Sequence, residues 1–286
     1  MKKSLYLFIY IAVALMMLGC KDTAKQQTDN TIYVSIAPIK PLVEAIVADG
    51  FDVKVLVPAG ASPETYEPTP KQFIELNNAR MVFSTGLLDF EKALLDKVYD
   101  QSRVVNLSHG ITTIAGSCSH THHGKHCHHG IDPHIWCSPQ SLHTMAQNIS
   151  NALIASMPDS VVYKERYSVL NQRITDLDQR VNEMCQNASL PYFIIYHPAL
   201  TYLARDYGLE QVAVENEGKE TSAKRLSQII DRARKDGVKR VFYQSEFPAS
   251  SIEVVAQDIG AQAVEINPLA ENVIENLEDI VLKITE

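Results

Sequence analysis

Basic residues are in short supply. The 286-residue chain has 26 Lys and Arg against 34 Asp and Glu, a formal net charge of −8. Nucleic-acid binding draws on a surplus of positive charge facing phosphates, so that class of partner is excluded. The N-terminal apolar run, Leu5–Leu18, falls short of the ~20 residues that a membrane-spanning helix needs. Neither an HExxH pairing nor a nucleophile motif occurs, so the usual machinery of a metal-dependent or nucleophilic hydrolase is missing. What remains, 45% apolar and 21% charged, has the composition of a soluble globular protein of one large or two medium domains.

The first residues read differently from the rest. Lys2 and Lys3 precede the apolar run, which ends in Gly19 and Cys20. This is the plan of a secretory signal, residues 1–19. The small residue before Cys20 resembles a lipoprotein signal, with Cys20 lipidated and becoming the new N-terminus. A polar tether follows over residues 20–30, without apolar periodicity, and suits a leash between membrane and domain. The site of action is then extracytoplasmic, periplasmic or at the cell surface, where disulfides are allowed. Cys118 and Cys127 bracket a histidine run and could pair or bind metal, while Cys137 and Cys185 read as small buried residues.

Strand and helix patterns alternate along the chain. Short apolar runs at 31–39, 51–58, 80–86 and 103–108 read as strands, with helical patterns between them. Pro41 and Pro70 stand near helix starts, and Gly50 near a helix end. Two helical stretches interrupt the alternation. The second, 160–186, carries Val161, Val162, Leu170, Ile174, Leu177, Val181 and Met184 at helical spacing. At ~1.5 Å per residue it is long enough to serve two lobes. Alternation then resumes to the C-terminus. The reading is α/β: an N-terminal lobe at 31–157, a linking helix at 158–187 and a C-terminal lobe at 188–286, each lobe built on a four-stranded parallel sheet.

Ligands of such sheets bind beyond the carboxyl ends of the strands. Three loops there hold chemistry. Glu64 is the first acidic group of the 58–70 loop, His134 lies in "DPHIWCSP", and His197 follows a strand in "YHPAL". Two imidazoles and a carboxylate make a suitable metal set with a place left for a fourth donor. A denser cluster sits just upstream. Residues 118–129 hold His120, His122, His123, His126, His128 and His129 in a stretch that cannot pack a core.

The segments "GASPETYEPTP", "DPHIWCSP" and "YHPALTYLARDYGLEQ", in this order, resemble the metal-binding solute receptors of bacterial ABC transporters, the cluster A-I family, and within it the zinc branch. The resemblance runs from about Thr31 to the C-terminus. It implies two α/β lobes joined by one rigid helix, and a monomer that delivers a divalent metal to a membrane permease without doing chemistry. It implies His134 and His197 as ligands. Glu64 stands where the zinc branch usually has histidine, and Asn267 where relatives carry aspartate, as a weak fourth donor or a residue orienting water. Asp132 is implied as a supporting partner of His134, and the 118–129 loop as an auxiliary metal collector. The expected ligand is Zn2+, with Mn2+ or Fe2+ as alternatives. A surface adhesin lipoprotein and a zinc hydrolase using Glu64, His134 and His197 are the competing readings.

Overall fold

The computed structural model describes residues 30–47, 49–116, 130–156, 160–216 and 219–286. The signal segment 1–19, Cys20 and its tether, and the histidines of 118–129 lie outside the described residues. The first lobe runs β1 (Thr31–Val34), α1 (Lys40–Ile46), β2 (Asp52–Val55), α2 (Pro70–Asn78), β3 (Met81–Ser84), α3 (Asp89–Leu95) and β4 (Val104–Asn106). Then come α4 (Pro139–Ser156) and α5 (Ser160–Gln186). The second lobe runs β5 (Tyr192–Ile195), α6 (Thr201–Tyr207), β6 (Glu210–Ala213), a small hairpin β7 (Glu215–Asn216) and β8 (Lys219–Glu220), α7 (Ala223–Asp236), β9 (Arg240–Gln244), α8 (Ser250–Ile259), β10 (Gln262–Ile266) and α9 (Val273–Thr285).

Both large sheets are parallel and share one topology. The first is ordered β2-β1-β3-β4 and the second β6-β5-β9-β10. Strands β1, β3 and β5 are buried at every position, because a parallel strand covered on both faces reads as a continuous apolar run. The edge strand β2 alternates instead, with Val53 alone fully buried. In each sheet the chain leaves the first strand to one side and returns to the other. That crossover opens a crevice at the carboxyl ends of β1 and of β5.

Helix α5 joins the lobes. Tyr163, Leu170, Ile174, Leu177, Val181 and Cys185 form its buried stripe, which packs against α1, α4 and α9. Val161 and Val162, read from sequence as part of that stripe, are exposed. The stripe starts one residue later because Tyr163, not the valines, is aimed at the core. One apolar core passes from the first sheet through this helix to Phe193, Ile195 and Leu277 of the second lobe. A separate core covers the opposite face of the second sheet, beneath α7 and α8. Helix α1 ends at Ile46, so Gly50 lies past it, in the turn into β2 at φ +97°. Cys137 and Cys185 are both buried free thiols. Among the described residues no helix is long and apolar enough to cross a membrane.

Candidate metal centre

Each donor sits on a loop that the local sequence holds firmly. Glu64 follows β2 in a stretch closed by two turns, Ala61 N–H to Pro58 O at 3.1 Å and Thr65 N–H to Ser62 O at 3.3 Å. The far end is fixed where Gln72 accepts from the Thr69 amide and the Tyr66 hydroxyl, each at 2.8 Å. The Tyr66 ring also meets Phe90 edge-on, with centroids 5.2 Å apart.

His134 is set by the residues before it. Asp132 Oδ1 accepts the His134 amide at 2.9 Å and its Nδ1 at 2.8 Å. A tight turn, Ile135 N–H to Pro133 O at 2.8 Å, leads from here into the short 3-10 turn Ile135–Cys137. His197 follows β5. Gln244 grips its backbone twice, accepting its N–H at 3.3 Å and donating to its carbonyl at 2.5 Å. The ring's Nδ1 donates to Glu215 Oε2 at 2.8 Å.

The two imidazoles are thus oriented alike. Each directs Nδ1 to a carboxylate and turns Nε2 inward. Glu64 Oε1 lies 3.6 Å from His134 Nε2 and 3.4 Å from His197 Nε2, and the two rings are 5.2 Å apart. One ligand atom from each of the three falls within 4.8 Å of the others, the one such group of three or more metal-ligating side chains among the described residues. Zinc bonds of about 2.0–2.2 Å to nitrogen and oxygen place tetrahedral ligands roughly 3.3–3.5 Å apart. Both Glu–His distances already sit at or near that spacing, so the donor set fits a zinc-sized ion.

Electrostatics follow from the same contacts. Burial works to raise Glu64, yet the hydrogen bond to His197 and the nearby imidazoles outweigh it and hold the carboxyl down at about 2. Burial works to lower His197, but Glu215 and Glu64 on either side raise it to about 10. Asp132 is opposed by its burial and still held below the usual carboxylate range by His134. Metal-free, Glu64 and His197 form an ion pair along the axis where a cation would bind.

The structure brings some of the residues singled out in the sequence together and leaves others apart. Glu64, His134 and His197 come together, and Asp132 stands behind His134. Asn267 does not join them. It is exposed, and its Oδ1 accepts the Leu269 amide at 3.0 Å in a local turn. His109 is exposed, while His143 is half-buried and bonded through Nδ1 to Asn171 at 2.9 Å. Glu215 escaped the reading altogether. Its signal was there, a carboxylate just past the end of β6, on the sheet edge beside β5.

A family model described as zinc-uptake complex component A, periplasmic, matches residues 32–284, and the chain belongs to this family. The chain is 29% identical over 285 residues to the high-affinity zinc uptake system protein ZnuA of Bacillus subtilis, covering 94% of this chain and 89% of that protein. It is 24% identical over 277 residues to the zinc-binding lipoprotein AdcA of Streptococcus pneumoniae, covering 93% of this chain but 55% of that one. A crystal structure of a zinc-bound ZnuA deletion mutant superposes with a TM-score of 0.80 at 33% identity, over 89% of this chain and 96% of that one. Membership places the chain among the receptors of metal transporters and not among enzymes.

Proposed function

We propose that this protein captures zinc outside the cytoplasm and hands it to the permease of an ABC importer, with Glu64, His134 and His197 as the ligands. One observation carries the reading: a carboxylate oxygen and two Nε2 atoms converge at ligand spacing, drawn from loops of both lobes. Asp132 and Glu215 support it, because an imidazole whose Nδ1–H is held by a carboxylate presents its Nε2 lone pair in a fixed direction and binds metal more strongly. Two imidazoles favour zinc over manganese and iron, and the zinc-binding relatives point the same way.

The division that goes with this function is a signal over 1–19, a tether over 20–30 lipidated at Cys20, lobes at 31–157 and 188–286, and a linking helix at 158–187. The histidines of 118–129 collect metal upstream of the site, and the receptor acts as a membrane-anchored monomer. Elemental analysis of the mature protein purified without added metal, repeated after zinc and manganese compete for it, tests the reading. One tightly held zinc per chain is expected. Manganese retained against equimolar zinc would assign the protein another cargo.

A further inference from the structure

Three donors leave a tetrahedral ion one open position. Glu64, His134 and His197 all face one cavity between the lobes, so the fourth vertex points into it. The other polar side chains on its wall are few. Gln244 lines it, but its amide is committed at both ends to the backbone of His197. Ser62 offers a neutral hydroxyl, a poor ligand for zinc. Trp136 faces it with its indole N–H donated to the Pro268 carbonyl at 3.0 Å. Asn267 is not on the wall; it is exposed and tied into its own turn. That leaves Glu246, a half-buried carboxylate on the cavity wall.

The backbone at Glu246 is held beside the site. Gln244, two residues before it, is bonded to the His197 main chain, and Phe247, next to it, lies against the His197 ring with centroids 5.4 Å apart. Ser245 Oγ donates to Glu246 Oε1 at 3.2 Å, a long contact for a hydroxyl on a carboxylate. The charge of Glu246 also reaches inward. After burial and Asp132, it is the remaining influence that pushes up the buried Cys137 thiol. Its oxygens lie outside the three-donor group, so ligation needs the side chain to turn toward the other donors.

We propose that Glu246 swings from Ser245 to occupy the fourth position on the bound metal, completing a two-carboxylate, two-imidazole set. The inference rests on the zinc site proposed above. It gives the loaded site two formal negative charges, which neutralise a divalent cation, and it supplies a ligand on a side chain free to come and go. Such a ligand allows stepwise capture and release, with the metal first held by three donors and then enclosed.

The test uses the whole mature chain. Zinc affinity is measured for wild type, Glu246→Gln, Glu246→Ala, Glu64→Ala and His197→Ala, and Co2+ absorption spectra are taken for the same proteins. Metal-free melting temperatures near that of wild type establish that the Glu246 variants fold. Both Glu246 variants are expected to bind zinc at least the roughly tenfold more weakly that loss of a supporting contact causes, and to change the cobalt ligand-field bands. If Glu64→Ala and His197→Ala weaken binding while both Glu246 variants keep wild-type affinity and spectrum, water fills the fourth position and the inference is overturned. If no variant of the five proteins differs from wild type, the zinc site itself has been misplaced.

Discussion

In the proposed ligand set, Glu64 is the residue on which metal choice turns. A carboxylate is harder than imidazole and is shared by the chemistry of zinc, manganese and iron. With two imidazoles kept, zinc still binds most tightly in the wild type, but by a smaller margin over manganese than a third imidazole would give. Titrating zinc and manganese into wild type, Glu64→His and Glu64→Ala measures this. The zinc-over-manganese gap should widen in Glu64→His, and zinc binding should weaken in Glu64→Ala. Glu67, exposed in the same loop, should tolerate alanine with little change. Equal affinities across the three proteins would take Glu64 out of the site. His197 sets the pH dependence. Its imidazolium is favoured by Glu215 and Glu64 up to about 10 in the metal-free protein, against an ordinary value near 6.5. The sign follows: the raised value stabilises the metal-free fold fully below about pH 6.5, and that contribution is lost as pH rises through about 10. A ligating histidine must be neutral, so zinc has to displace this proton. Between pH 7 and 9 zinc affinity should rise about tenfold per pH unit, with one proton released per metal bound. Calorimetry in buffers of different ionisation enthalpy counts that proton; a binding heat independent of buffer would show that His197 is already neutral.

At the scale of elements, the ends of strands make the site and their partners keep it in shape. The β6–β7 connection brings Glu215 under His197, and removing this carboxylate frees the imidazole to rotate. Glu215→Ala should lower zinc affinity by about 10–100-fold, as Asp132→Ala should at His134, with zinc titration as the readout. Affinity unchanged in Glu215→Ala would mean that Gln244 and Phe247 fix the ring without it. The strands and helices were legible in the sequence because buried parallel strands such as Ile32–Val34 and Tyr192–Ile195 are apolar throughout, and because Pro41 and Pro70 mark helix starts. His197 was legible as a histidine beside a proline after a strand; His134 also stands beside a proline, but it follows an isolated bridge at Ile131 and no strand. What sequence could not show is contact across space. The tie between His197 and Glu215 joins two strands through their register, and Gln244 belongs to a third strand. The hairpin β7–β8 is two residues per strand, too short for any period to appear. Asn267 was drawn toward the site by its place in a motif, whereas its own turn with Leu269 turns its amide oxygen elsewhere.

Across the whole molecule, the lobes are clasped even without metal. Trp136 donates to Pro268 at 3.0 Å, Tyr202 to the Asp132 carbonyl at 2.7 Å, and Ser138 to Asp206 at 2.5 Å, each crossing from one lobe to the other. At the surface Lys40 pairs with Glu271 at 2.8 Å. Tyr202 is the most informative of these, because its hydroxyl holds the residue whose side chain orients His134. Together with the shared core along α5, these contacts restrict the lobes to small movements, so loading acts through side chains at the cavity more than through domain closure. A metal held by the proposed ligands would add a further bond between the lobes, since Glu64 and His134 come from one and His197 from the other. Binding to the native state alone stabilises it by mass action, by about 4 kcal/mol at a thousandfold excess over the dissociation constant. Calorimetric scans should therefore show zinc raising the melting temperature of wild type, and raising it far less in His197→Ala, where the second lobe has lost its ligand. The same rise should persist when residues 118–129 are deleted, because donors already held in the fold avoid the ordering cost of about 1–2 kcal/mol per backbone residue that ligands not yet in place must meet. A melting temperature unmoved by saturating zinc in the wild type would show that the metal does not bridge the lobes. Loss of the rise on deleting 118–129 would move the tight site onto the loop.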